Sequence, residues 1–429
     1  MDMKLADIFT SGMVLQRRKP IAVFGSGSGK GRVELDGNAV EFEAADGWLV
    51  HLPAMEAGGP YEMTVTLNDE VVTLTDILVG DVYLAGGQSN MQFRVEESVD
   101  IPRIANPNVR VYTEGHGADE NMNQWCEQHP WMVATEENLE KFTAIGYDVA
   151  RMLQEELQIP VGIVSCNLGA SRVDAWTAPE VVEAPDYQQM LGNKHWDWHY
   201  YKFNQKSWCF CTKLAHLIPY GINGVLWYQG ESNRLEEEAV HYHTLLGRLI
   251  ENWRDLWGEN LPFYIVQIAP FADGAENDWP HIRQAQERVA KEVPGAYLCT
   301  LVHTGESDNI HPTKKHQLAC ELTNAVLTNA FGYDREYCGP VYDTVEQTAE
   351  GVRITFTHAD GLHFDGDMAD LKAYDAAGNE VTYAAAIEGN ALTLTAQGIA
   401  RVEMGWQNAC AHNLYNEAGL LGSPFQIIL

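Results

Sequence analysis

The stretch ILVGDVYLAGGQSNM, residues 77–91, decides how the chain is read. It starts as an almost unbroken apolar run, the pattern of a strand covered on both faces. It ends in Gly86-Gly87-Gln88-Ser89-Asn90-Met91, which stops the strand and opens toward a helix. A serine in that place presents its hydroxyl at a strand C-terminus, and N–H groups of a following helix start can face an anion. It becomes a nucleophile only with a base and an oxyanion site. Read by itself, the block is equally a Gly-Ser turn without function.

Four further apolar runs follow: VGIVSCNLG, INGVLWYQG, PFYIVQIAP and AYLCTLVHT. Helical candidates lie near 137–158, 202–217, 236–257, 279–293 and 313–330. In the third, Val240, Leu245, Leu249, Trp253 and Leu256 recur as one buried helix face requires. The alternation predicts a parallel, doubly wound α/β sheet with right-handed crossovers. Ligand sites in such sheets lie beyond the strand C-termini.

On either side the rhythm is β. Residues 1–76 hold short alternating runs between Gly, Asp and Asn turns, as do residues 336–429. The expected organisation is an N-terminal β domain over 1–76, an α/β domain over 77–335 and a C-terminal β domain over 336–429, both β domains sandwich-like.

Composition bounds the function. The chain has 429 residues, 45% hydrophobic and 21% charged, which is globular. Its formal charge of −32 argues against nucleic acid or an anionic membrane as partner. It leaves room for an anionic small substrate in a cleft with its own field. No run of 18 apolar residues occurs, and the N-terminal residues do not read as a secretory signal, so a cytoplasmic location is expected. Of the eight cysteines, several sit in apolar runs, such as Cys166 and Cys299, and read as buried reduced thiols. Cys209 and Cys211 are too isolated for a zinc site. Oligomeric state is not legible.

Three more blocks fall at strand ends. Ser307-Asp308-Asn309-Ile310-His311-Pro312 follows the last run. An Asp three residues before a His on one loop can accept its Nδ1–H and leave Nε2 to take a serine proton. Asp308 is equally a turn residue and His311 a surface His. Trp227-Tyr228-Gln229-Gly230-Glu231-Ser232-Asn233 offers carboxamides, which donate N–H without a titrating charge. The same block reads as a polar loop opening a helix. Gly169, in Gly169-Ala170-Ser171-Arg172-Val173-Asp174-Ala175-Trp176, lets backbone approach an anion, or is only a turn. Four such blocks at four strand ends of one sheet are much less expected by chance than any one of them.

Other signals carry less. Gly25-Ser26-Gly27-Ser28-Gly29-Lys30-Gly31 lacks the spacing and context of a phosphate loop. His241 and His243 point to different faces of a helix. Glu236-Glu237-Glu238 fits a first helical turn, where the dipole favours acids.

Taken together, GGQSNMQF, GASRVDAW, IPYGINGVLWYQGESN, SDNIHP and the N-terminal DIFTSGMVLQRRKPIAVFG closely resemble the sialate O-acetylesterase family of SGNH-type hydrolases. The resemblance implies a flavodoxin-like three-layer α/β/α catalytic domain and carboxylic ester hydrolysis, with no metal or organic cofactor. It assigns Ser89 as nucleophile, His311 as general base and Asp308 as its partner. Gly169 and Ser89 take the backbone positions of the oxyanion hole, with a side-chain donor from Gln229 or, second, Asn233. The chain departs from its relatives at Gln92-Phe93, where an acidic residue and Trp are usual, and at Arg172, where an uncharged residue is commoner.

The expected substrate is an O-acetylated sugar, most of all a sialate 9-O-acetyl ester. An acetylated xylan or mannan oligosaccharide is the runner-up. A non-catalytic carbohydrate-binding protein is the reading of another class, and the joint presence of Ser89, Asp308 and His311 argues against it. Arg172 is a candidate for a substrate carboxylate, and equally a surface Arg paired with Glu. Trp176 and the cluster Trp196, Trp198, His199, Tyr200 and Tyr201 are candidates for sugar stacking, and equally core aromatics. The stretch 178–202 is a candidate rim or lid.

Overall fold

A computed structural model describes residues 2–115, 128–191, 202–272, 277–300 and 305–429. The fold is mixed α/β, with one large mixed sheet and additional β regions. Along the central part of that sheet the strands run in the order His129–Ala134, Asn106–Thr113, Val161–Asn167, Glu70–Gly87, Gly224–Tyr228, Phe263–Val266, Ala296–Cys299. The first pair is antiparallel and the other five pairs are parallel. The five strands expected from the apolar runs take the order 2-1-3-4-5, with the first, Glu70–Gly87, where the order reverses. The hairpin of Asn106–Thr113 and His129–Ala134 was not foreseen. Its first strand buries Arg110, whose guanidinium donates to Gly12 O at 2.9 Å and Asp76 Oδ1 at 3.0 Å.

Both faces of the central strands are covered, which explains their apolar sequences. Val82–Ala85, Val161, Ile163–Val164, Val225–Tyr228 and Phe263–Val266 are buried. Ala144–Leu157 packs on His316–Phe331, and Tyr242–Trp257 packs on Trp279–Glu292. Local signals fix the helix starts. Thr143 Oγ1 accepts the Gly146 N–H, and Asp278 caps the helix that carries Pro280 in its first turn.

Two expected helices differ. The 202–217 candidate is three short turns, Lys202–Asn204, Trp208–Thr212 and Leu214–His216. The 236–257 candidate breaks between Ala239 and Tyr242, so Val240 is exposed at the break while Leu245, Leu249 and Trp253 are buried.

Glu70–Gly87 runs without interruption through residues 76 and 77. Its first half pairs with Gly58–Leu67, its middle with Val14–Gln16, and its end with Val161–Asn167 and Gly224–Tyr228. The N-terminal region therefore shares a strand and a continuous apolar core with the central sheet. A buried pair reinforces the junction: Arg17 donates to both Asp81 oxygens at 2.9 Å. The C-terminal region has its own core, including Ile354, Phe356, Leu392, Val402 and Phe425.

Cys211, Cys299, Cys320, Cys338 and Cys410 are free thiols. Among the described residues no helix is long and apolar enough to cross a membrane.

Candidate active site

The strand Glu70–Gly87 ends where glycine is required. Gly87 has φ +131°, and a Cβ there would lie 2.0 Å from Tyr228 O. Gln88 N–H donates to Tyr228 O at 2.9 Å, and the chain turns into the short helix Ser89–Gln92. Ser89 opens that helix, where an N–H has no intrahelical acceptor. Thr143 Oγ1 donates to Met91 O at 2.6 Å and fixes the turn from behind.

The last strand, Ala296–Cys299, leads toward the loop that brings His311 back over Ser89. His311 Nε2 lies 2.8 Å from Ser89 Oγ. Both residues are half-buried. Burial, and then the nearby Lys315 ammonium, lower the His311 pKa, with Glu97 opposing. A neutral imidazole is what a base needs.

Gly169 stands beside Ser89. A Cβ on it would lie 3.4 Å from Ser89 Cβ. Its N–H donates to Gln92 Oε1 at 2.8 Å. That carboxamide oxygen occupies the place where a developing oxyanion would meet the Gly169 N–H.

Asp308 is not brought onto His311. Its side chain is exposed, and among the described residues no hydrogen bond or ion pair joins the two. The cause is the turn at Glu306–Asn309. Glu306 accepts from the Thr313 N–H and hydroxyl at 2.8 Å each and from Asn309 Nδ2 at 2.9 Å. Asn309 Oδ1 in turn accepts the His311 N–H at 3.0 Å. Asp308 is left at the solvent-facing tip.

The two expected carboxamide donors differ in how far their amides are committed. Gln229 is buried, and its Nε2 donates to Ser171 O at 3.2 Å, Asn233 Oδ1 at 2.9 Å and Gln88 Oε1 at 3.3 Å. Asn233 is buried too; its Oδ1 accepts the Val173 N–H at 3.0 Å, while its Nδ2 has no hydrogen-bond partner among the described residues. The Gln229 amide is thus spent on locking strand ends together, whereas the Asn233 amide is not spent on any described group.

The two expected substrate contacts are corrected. Arg172 is buried between two acids, donating to Asp174 Oδ1 at 3.1 Å and Glu238 Oε1 at 2.6 Å. A guanidinium so committed is closed to a substrate carboxylate. Burial pushes the Glu238 carboxyl up to about 8 against the pull of Arg172. Trp176 is fully buried, its Nε1–H on Ser171 Oγ at 2.8 Å and its ring edge-on to Trp227. The aromatic cluster from Trp196 to Tyr201 lies outside the described residues.

Sequence reasoning missed the polar network under the Ser89 turn, made by Asn90, Glu231 and Lys315. Glu231 lies in a block quoted above, but its burial has no sequence signal. Among the described residues no group of three or more His, Cys, Asp or Glu is placed to hold a metal.

Comparison with known proteins follows this geometry. Residues 79–328 match the family model described as carbohydrate esterase, sialic acid-specific acetylesterase. Human sialate O-acetylesterase is 25% identical over 359 residues, which are 73% of this chain and 66% of that protein. The mouse sialate O-acetylesterase is 25% identical over 393 residues, 78% of this chain and 72% of the relative. The chain thus spans about two thirds of the length of these curated relatives. The crystal structure of a carbohydrate acetylesterase from Xanthomonas citri aligns with a TM-score of 0.86, at 28% identity and 99% coverage of both chains. The family model covers more than half of the sequence and includes Ser89, Gly169 and His311. The chain belongs to the carbohydrate esterase, sialic acid-specific acetylesterase family.

Proposed function

We propose that the protein is a serine esterase that removes O-acetyl groups from carbohydrate, with a sialate O-acetyl ester as its substrate. The observation that carries this reading is the 2.8 Å approach of His311 Nε2 to Ser89 Oγ at the end of a central strand. Membership of the acetylesterase family and the whole-chain similarity to a carbohydrate acetylesterase support it. In this reading His311 takes the Ser89 proton as Oγ attacks the acetyl carbonyl. The Ser89 and Gly169 N–H groups receive the oxyanion, and the Gln92 carboxamide moves off Gly169 as the ester enters. The sugar hydroxyl leaves with the proton from His311. Water, activated by the same imidazole, then frees acetate and restores Ser89.

Asp308 remains the acid that the resemblance assigns to His311, with a contribution limited by its exposure. Gln229 serves the hole by fixing the strand ends, and Asn233, whose buried Nδ2 has no partner among the described residues, is the side-chain donor of this reading. We read the catalytic unit as an SGNH-type three-layer α/β/α domain over 77–335, joined through a shared strand and core to the β region of 1–76 and followed by a β domain over 336–429. The two helix pairs, Ala144–Leu157 with His316–Phe331 and Tyr242–Trp257 with Trp279–Glu292, support two outer layers.

The test is acetate release from 9-O-acetylated sialic acid and from acetylated xylo-oligosaccharides, side by side, with Ser89→Ala as control. Release from the sialate ester that vanishes in the variant is expected. A preference for the xylo-oligosaccharide overturns the sugar assignment. Absence of release from both, and from an aryl acetate, overturns the esterase reading and leaves a carbohydrate-binding protein.

A further inference from the structure

We infer that Lys315, acting through Asn90 and Glu231, is a positioning residue that holds the Ser89 turn and the His311 loop in register. The inference rests on the esterase reading. It starts from a lysine with no surface exposure, four residues after His311.

Lys315 Nζ donates to Asn90 Oδ1 at 2.7 Å. Asn90 Nδ2 donates to Glu231 Oε1 at 2.7 Å and to Ile310 O at 3.0 Å. Asn90 directly follows Ser89, and Ile310 directly precedes His311. One buried carboxamide therefore ties the nucleophile turn, the base loop and the Gly230–Asn233 turn together. A carboxamide suits this place because it accepts on one side and donates twice on the other. The ammonium fixes which side is which, since it can only donate. It lies over the Phe93 ring at 4.8 Å and the Tyr228 ring at 5.7 Å, so aromatic faces hold the cation where water does not.

The charged groups around this network are few. Glu231, Glu306, Asp100 and Glu97 face Lys315. Arg234 and Lys315 face Glu231. Lys315 and Glu97 face His311. Asp100 also accepts the Lys315 backbone N–H at 2.8 Å, which anchors the loop end. Burial lowers the Lys315 pKa to about 7 against the pull of these acids, and burial raises that of Glu231. Below neutrality, where His311 takes up its proton, Lys315 is therefore charged and opposes that uptake. A role in packing alone predicts no such opposition.

The experiment is the pH profile of kcat/KM on an aryl acetate for the full chain, its Lys315→Met and Asn90→Ala variants, and the double variant. Lys315→Met removes the cation, so the His311 pKa rises. The acid limb should move up by about half a pH unit or more, and kcat should fall at least about tenfold with KM little changed. Asn90→Ala should lower kcat similarly, and in the Lys315→Met background it should cost little more, as for one coupled unit. An acid limb unmoved in folded Lys315→Met, or additive losses in the double variant, overturns the inference. Should Lys315→Met fail to fold by circular dichroism, Asn90→Ala decides alone: a kcat within threefold of wild type overturns it. An inactive wild-type protein is a different result, which removes the esterase reading itself.

Discussion

Ser89 and Arg172 both follow a parallel strand of one sheet, Ser89 two residues past Gly87 and Arg172 five past Asn167. Ser89 opens a helix, is half-exposed and meets His311. Arg172 turns under the loop it belongs to and is sealed between Asp174 and Glu238. A strand C-terminus therefore supplies a place for chemistry, but the first turn after it decides whether a side chain reaches solvent or the core. Polar residues that turn inward still serve the site, because they hold strand ends at fixed separations.

Mutations separate the two kinds. Ser89→Ala should lower kcat on an acetyl ester by about 10⁴-fold or more while the melting temperature stays within a few degrees, as removal of a serine nucleophile does elsewhere. A comparable loss of stability would mean that Ser89 belongs with the inward group. Arg172→Ala should do the reverse. It strands two buried carboxyls, and breaking a buried ion pair costs about 3–5 kcal/mol. Urea unfolding reads that cost, and KM for an acidic sugar should change little. A raised KM at unchanged stability would return Arg172 to the substrate.

Two smaller effects sharpen the comparison on the outward side. The His311 pKa is lowered by burial and by Lys315. A base works when neutral, so activity rises as pH climbs through that pKa. The acid limb of kcat/KM should thus lie below the ordinary imidazole value of about 6.5. A limb above it would contradict the site's electrostatics. Asp308→Asn should cost less than about tenfold in kcat, because the exposed carboxylate is screened by solvent. A loss as large as that of His311→Ala would show that the 305–310 turn closes onto the imidazole during turnover.

The parallel core was legible because strands buried on both faces are written in runs such as VLWY and FYIV. The edge hairpin was not, since Asn106–Thr113 begins with polar residues and carries Arg110. The helix Ala144–Leu157 falls inside the candidate at 137–158, whereas the candidate at 202–217 is broken into three short turns. In the site, the order and location of Ser89, Gly169 and His311 came from strand-end placement and motif. The orientations of Arg172, Trp176 and Gln229 did not, because burial behind a turn depends on packing from distant elements, such as Glu238, 66 residues from Arg172, and Trp253, 77 residues from Trp176. Lys315 escaped notice because a buried lysine looks like any other in the string of letters.

The uninterrupted strand Glu70–Gly87 has a consequence for how the chain is made. Its first half finds Gly58–Leu67 as soon as both have left the ribosome. Its second half, which leads to Ser89, waits for Val161–Asn167 on one side and Gly224–Tyr228 on the other. At the usual speed of synthesis the later partner emerges roughly 7–30 s afterwards. During that interval the apolar half of the strand keeps an open edge, both edges until Val161–Asn167 emerges and the Gly224–Tyr228 side thereafter. Such an edge recruits other strands. The strand that leads to Ser89 is thus a segment of the nascent chain with a demand for a chaperone.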